Sequence, residues 1–140
     1  MKKILILFIK LAPKWLVKFV VIRGVASLRK RHPDLMTRLS PTYGREIYAY
    51  FTDLKYGVLL NIGEENTQVK VGEKQNPNLS LKGKFFDLIS IIEGKVDGDA
   101  LFFSRKIEVE GDTETLIIIR NAFDSADICL IKEFLMIPNK

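Results

Sequence analysis

At 140 residues the chain is long enough for one domain that buries about two-thirds of its unfolded surface. Its 47% apolar and 28% charged content excludes a disordered or fibrous chain, and a single cysteine, Cys129, excludes an internal disulfide and agrees with a reducing compartment. The net charge of +5 hides a division: residues 1–32 hold nine Lys or Arg and no Asp or Glu, whereas residues 33–140 hold thirteen basic and seventeen acidic residues, a balance of −4. A basic, apolar arm over residues 1–32 therefore precedes an acidic body over residues 33–140, and such an arm suits an anionic partner, lipid or nucleic acid.

Lys2 and Lys3 ahead of residues 4–9 imitate the opening of a secretory signal, but Lys10 ends that apolar run early and Pro13 follows. Lys14, Lys18 and Arg23 interrupt the next stretch, so no uncharged run approaches the roughly 20 residues that span a bilayer. The expectation is a pair of helices broken near Pro13. In the second, Trp15, Leu16, Phe19, Ile22 and Ala26 fall at helical spacing, with Lys14, Lys18 and Arg29 outside the stripe. Lys14, Trp15, Lys18 and Phe19 are the candidate membrane contacts: rings sink into the interface while each cation contributes roughly 1 kcal/mol against anionic lipid. The same stripe could instead pack on the domain's own sheet, and spacing does not separate the two. Nucleic acid is disfavoured as a partner, because the aromatics form a greasy face rather than a spaced series along a polar groove.

His32-Pro33-Asp34 marks a boundary, and residues 33–44, with Pro41 and Gly44, read as an irregular connection. Period two then begins, with Ile47, Ala49 and Phe51 on one face and Glu46, Tyr48 and Tyr50 on the other. Further strands run through Val58, Leu60 and Ile62, through Val69 and Val71, and around Leu79 and Leu81, which predicts an antiparallel meander. The period changes at Phe85, where Phe85, Leu88, Ile89 and Ile92 fit i, i+3, i+4, i+7 and Gly94 marks a stop. Asp97 suits the cap of a short helical turn ending near Phe103. Ile107 and Val109 then alternate in a last strand, with Arg105 on their side. Gly111 permits a sharp corner, and Asp112 can cap a helix from Thr113 that carries Leu116, Ile119, Phe123 and Ala126. Residues 116–119 alone would also suit a buried strand, but the cap chemistry favours helix. Leu130, Ile131, Phe134 and Leu135 suggest a final helix before Pro138.

Catalytic chemistry has little to stand on. The one histidine, His32, follows Arg29-Lys30-Arg31 in a setting that predicts exposure, and Cys129 has no Cys or His at metal-ligand spacing. Glu64-Glu65 and the Asp97 and Asp99 pair sit in turns that face solvent, and the isolated glycines make no phosphate loop. The expectation is a protein that is not an enzyme and takes no metal or other cofactor. Arg105 has two readings: an ion pair with Asp97 or Asp112, or a guanidinium that holds a lipid head group at a cavity mouth.

The run Phe85-Phe86-Asp87-Leu88-Ile89-Ser90-Ile91-Ile92 with Gly94, followed by Asp97, Ala100, Phe102-Phe103, Arg105 and Glu110-Gly111-Asp112-Thr113, resembles the sterol carrier protein type 2 family over roughly residues 45–125. The Pro-containing basic segment and Thr52-Asp53-Leu54 resemble its UbiT-like branch of ubiquinone biosynthesis accessory factors. Residues 1–11 are more apolar than that pattern, and the tail after Asp127 matches no motif in it. The resemblance implies an α+β domain, a mainly antiparallel sheet of about five strands covered by helices around an apolar cavity. It makes Phe85, Leu88, Ile89, Ile92, Phe102, Phe103, Leu116, Ile119 and Phe123 candidate lipid-lining residues, although spacing alone assigns each to an ordinary core.

The function implied is a non-enzymatic accessory protein that shields and presents prenylated quinone precursors to partner enzymes of oxygen-independent ubiquinone biosynthesis. It would be cytoplasmic and peripherally bound to membrane. A prenyl tail of some tens of carbons left in water would cost on the order of tens of kcal/mol, at roughly 0.8 kcal/mol per methylene. The alternatives are a general carrier of sterol, phospholipid or fatty acid with the same fold, and a membrane-surface scaffold with a filled core.

Overall fold

The computed structural model describes residues 2–72, 76–93, 105–126 and 128–130. Pro13 breaks the arm into α1 (Lys2–Leu11) and α2 (Lys14–Arg31), as its missing amide requires. Residues 33–44 correct the expectation of an irregular connection, since they form α3 (Pro33–Leu39) and a 3-10 turn (Ser40–Thr42) that bury Leu35, Met36, Leu39 and Thr42. The prolines are the physical reason: each stands in a first turn, where the amide it lacks has no helical partner to lose. The Thr42 hydroxyl donates to the Leu39 carbonyl at 2.7 Å, which satisfies the buried polar group.

The alternating segments form β1 (Glu46–Phe51), β2 (Tyr56–Ile62), β3 (Thr67–Val71), β4 (Leu79–Gly83) and β5 (Ile107–Gly111), with α4 (Phe85–Ile92) between β4 and β5 and α5 (Thr113–Ala126) after them. The sheet order is β3-β2-β1-β4-β5, and every pair is antiparallel except β1 with β4. The mixed α+β class and the mainly antiparallel five-stranded sheet are as expected, but β4 does not continue the meander. It returns to the free edge of β1 and runs parallel to it, pairing Ile47 with Leu79 and Ala49 with Leu81. There Leu79 and Leu81 meet Leu88 and Ile91 of α4 and become almost wholly buried.

Register puts Ile47, Ala49 and Phe51 on the same face as Val58, Leu60, Leu79, Leu81 and Ile107. Helices cover that face in two adjoining clusters. One joins Leu28 of α2 and Leu35, Met36 and Leu39 of α3 to Ile119, Ala122 and Phe123 of α5. The other joins Phe51, Leu54, Leu79, Leu81 and Ile107 to Leu88 and Ile91 of α4, and Ile47 and Ile92 touch both. On the opposite face the Tyr48 ring lies over Gly57, where an added Cβ would stand 2.1 Å from the phenol oxygen.

The corner before α5 behaves as its residues predict. Gly111 takes φ +93°, a left-handed conformation that glycine adopts without a Cβ clash. Asp112 accepts from the Thr115 amide at 3.3 Å and from the Thr115 hydroxyl at 2.8 Å. Arg45 donates to Asp112 at 3.0 Å and to the Thr115 hydroxyl at 2.6 Å, tying the start of β1 to the start of α5. Residues 116–119 are helical, so the cap prevails over β-branching.

Candidate functional site

Seven of the nine candidate lipid-lining residues lie among the described residues, and the fold brings them together from two helices. Leu88, Ile119 and Phe123 are buried, whereas Phe85, Ile89, Ile92 and Leu116 are half-buried. Ile89 and Ile92 pack against the cluster of Ile119 and Phe123, while Phe85 and Leu116 pack against the cluster of Leu88. Phe102 and Phe103 lie outside the described residues, as do Gly94, Asp97, Asp99, Ala100 and the expected final helix beyond Leu130, which is itself buried.

The helical stripe missed Ile91, which is 1% exposed and stands three residues beyond Leu88 on the same helix. It also missed an aromatic row that links strand to helix. Tyr56 meets Phe51 edge-on with ring centres 6.4 Å apart, Phe51 meets Phe85 at 5.4 Å, and Phe85 meets Phe86 at 5.2 Å. Phe51 and Tyr56 face each other across the turn between β1 and β2, a pairing that alternation hints at and only register fixes. In that turn Asp53 accepts the Phe85 amide at 3.1 Å, which anchors the start of α4. Burial, with a lesser contribution from Asp53, pushes the Tyr56 phenol up to about 12. It stays protonated at neutral pH and donates to the Ile9 carbonyl at 3.2 Å.

That bond seats α1 on the body, where Ile6 and Ile9 pack against the cluster containing Phe51 and Leu54. The rest of the helix faces outward: Ile4, Leu7, Phe8 and Leu11 are 60%, 55%, 70% and 73% exposed. The candidate membrane contacts are exposed too, Trp15 to 70% and Phe19 to 55%, with Lys14 and Lys18 exposed beside them in the chain. The expected stripe of α2 is therefore not what it buries. Gly24, Val25 and Leu28 enter the core instead, and Arg29 donates to the carbonyls of Gly63, Glu64 and Asn66 in the turn between β2 and β3. Among the described residues no helix is long and apolar enough to cross a membrane.

Arg105 is exposed and precedes β5, so the alternation that would align it with Ile107 does not reach it. Asp112, one of its two expected partners, is held by Arg45. Arg105 instead lines an open cleft of about 470 Å³ together with Thr52, Lys82, Gly83, Lys84, Asp87, Lys106 and Glu108. His32, expected to be exposed, is half-buried at the corner between α2 and α3. Among the described residues no group of three or more His, Cys, Asp or Glu is placed to hold a metal ion.

The sequence pattern of the SCP-2 sterol transfer family matches residues 25–124. The ubiquinone biosynthesis accessory factor UbiT of Escherichia coli (strain K12) is 32% identical over 63 residues, 45% of this chain and 36% of that protein. The matched stretch thus spans about a third of the relative's length. Among solved structures, a UbiJ-SCP2 ubiquinone synthesis protein superposes with a TM-score of 0.66 at 20% identity, over 81% of this chain and 97% of the other. The apo sterol carrier protein 2 of Yarrowia lipolytica superposes with a TM-score of 0.55 at 15% identity, over 81% and 91%. At such identities the structural likeness establishes the fold.

Proposed function

The chain belongs to the SCP-2 sterol transfer family, and on that premise we propose that it is a non-enzymatic, lipid-binding accessory protein of ubiquinone biosynthesis. It shields the tail of a prenylated quinone precursor and presents the head to partner enzymes. The observation that carries this reading is the gathering of Phe85, Leu88, Ile89, Ile92, Leu116, Ile119 and Phe123 between α4, α5 and the sheet, in a family named for sterol transfer. Phe102 and Phe103 belong to the same lining in this proposal. The likeness to UbiT supports the choice of a quinone precursor as cargo.

Residues 1–32 act as a membrane-seeking arm that lends Val25 and Leu28 to the core of the lipid-binding domain over residues 33–140. Lys14, Trp15, Lys18 and Phe19, continued by the outer face of α1, rest on the anionic cytoplasmic surface of a membrane. Native mass spectrometry of the full chain purified from its own host tests the proposal, with a bound prenylated lipid as the expected result. A homogeneous ligand-free protein that ignores added quinone and phospholipid overturns it. A second reading, a general sterol or acyl-lipid carrier, is favoured by the family's name alone, and the mass of the bound lipid separates the two.

A further inference from the structure

We propose that the open cleft at the end of β4 is a docking site for an extended acidic segment of a partner protein, held through its glutamate and aspartate carboxylates. This rests on the proposed function, because it supplies the handle by which a partner enzyme finds an accessory protein, and it assigns no part of the cleft to the lipid cargo.

Charge sets the sign of the partner. Lys82, Lys84, Arg105 and Lys106 line the cleft against only Asp87 and Glu108, a surplus of two cations on a body whose own balance is −4. Among the described residues no ion pair holds any of the four cations, and the Lys82 ammonium stands 6.0 Å over the Tyr50 ring. Asp87 belongs to the first turn of α4, where the helix end already offsets its charge. A recess in which one sign of charge prevails concentrates its field and steers an oppositely charged partner into it. Arg105 has φ +62°, a left-handed conformation rare for residues with a side chain, and such strain clusters at binding sites. Its planar fork suits the two oxygens of a carboxylate.

Position decides the kind of partner. Gly83 walls the cleft from the core: a Cβ there would stand 2.8 Å from the Lys106 carbonyl oxygen, 3.1 Å from the Ile107 side chain and 3.4 Å from that of Leu88. Packing this close bars the cleft from the apolar cluster, so its occupant comes from water and stops at that wall. The four cations belong to three segments, β4, the residue that joins it to α4 and the approach to β5, and Asp87 and Glu108 stand among them. A compact phosphate calls for donors that converge on one point without a carboxylate between them. A peptide carries several carboxylates along its length and backbone amides between them, so it can meet both signs. The volume of about 470 Å³ is that of a ligand site and takes a few residues of extended chain.

The test titrates the full chain with end-blocked hexaglutamate, with hexaglutamine and with inorganic phosphate in a calorimeter. It is repeated on a cleft variant carrying Lys82→Gln, Lys84→Gln, Arg105→Gln and Lys106→Gln, and on an arm variant carrying Lys3→Gln, Lys10→Gln and Lys30→Gln. All of these side chains are exposed, so both variants keep the fold. Hexaglutamate is expected to bind the natural chain about tenfold or more tightly than hexaglutamine. That gap should narrow as salt rises from about 0.01 M to about 1 M and the screening length falls from about 30 Å to about 3 Å. It should vanish in the cleft variant and persist in the arm variant. Equal binding of the two peptides by the natural chain overturns the site, as does a gap that survives in the cleft variant. A gap lost in the arm variant overturns it by placing the peptide on the arm. Phosphate that displaces hexaglutamate at similar concentration also overturns it, by showing a receptor for free anions. Native mass spectra keep the two proposals apart: a cleft variant that retains lipid while losing hexaglutamate supports both. A natural chain that binds hexaglutamate and carries no lipid keeps the cleft and removes the proposed cargo.

Discussion

The two halves of α2 meet fates that composition does not foretell: residues 14–22 are the more apolar half, yet residues 23–31 supply the buried side. In the first half Trp15 and Phe19 stand in water, whereas in the second Gly24, Val25 and Leu28 are buried. The first half leaves these rings without a partner in the core clusters, while the second reaches α3 and α5, where Leu28 joins Leu35, Met36 and Phe123. What a helical residue buries is decided by what stands opposite it, and an apolar residue with nothing opposite is the informative one.

The largest test of this contrast compares interior with arm. Leu88→Ala should lower the unfolding free energy by about 2–5 kcal/mol in urea titrations, whereas Phe8→Ala should change it by less than about 0.5 kcal/mol. Comparable losses from both would mean that α1 belongs to the core. Conversely, combining Phe8→Ala with Trp15→Ala should weaken flotation with anionic vesicles by about tenfold or more, while Leu88→Ala leaves it unchanged. Undiminished flotation would remove these rings from the membrane surface.

Where the two regions meet, the prediction is smaller. Tyr56→Phe deletes the bond to the Ile9 carbonyl and should cost about 1 kcal/mol, with faster amide exchange confined to α1. Protection equal to that of the natural chain would show that Ile6 and Ile9 alone hold the helix. The smallest effect lies in acid. Hydrogen bonds from Thr115, with help from Arg45, hold the Asp112 carboxyl below its ordinary range. Its contribution is therefore fully present above about pH 4 and fades as pH falls through the lowered value. Asp112→Asn should be less stable at neutral pH, and the difference should shrink in acid titrations; a constant offset would assign the effect to geometry alone.

Much of this was legible in the chain. The change from period two to period 3.6 at Phe85 located β4 and α4, and Gly111-Asp112 located the corner before α5. The short helix at Pro33 was not, because proline in a sequence signals a helix break as readily as a helix start, and only its first-turn position decides between them. The partner of β4 was hidden as well, since alternation shows that Leu79 and Leu81 share a face and is silent on which edge receives them. In the site, Leu88, Ile119 and Phe123 followed from spacing. The row from Tyr56 to Phe86 and the cationic cleft did not, because both join residues from separate elements that only register brings together.

The parallel pairing of β1 with β4 also orders the assembly of the molecule. β1, β2 and β3 are joined by short turns and can zip up from local contacts, but the second edge of β1 waits for a strand that arrives only after β2 and β3 have passed. During that wait β1 has an open ladder, with Ile47, Ala49 and Phe51 beside it, ready to accept any extended chain. The strand at the centre of the finished sheet is thus the nascent chain's most vulnerable edge, and prompt docking of Leu79 and Leu81 is what closes it against self-association.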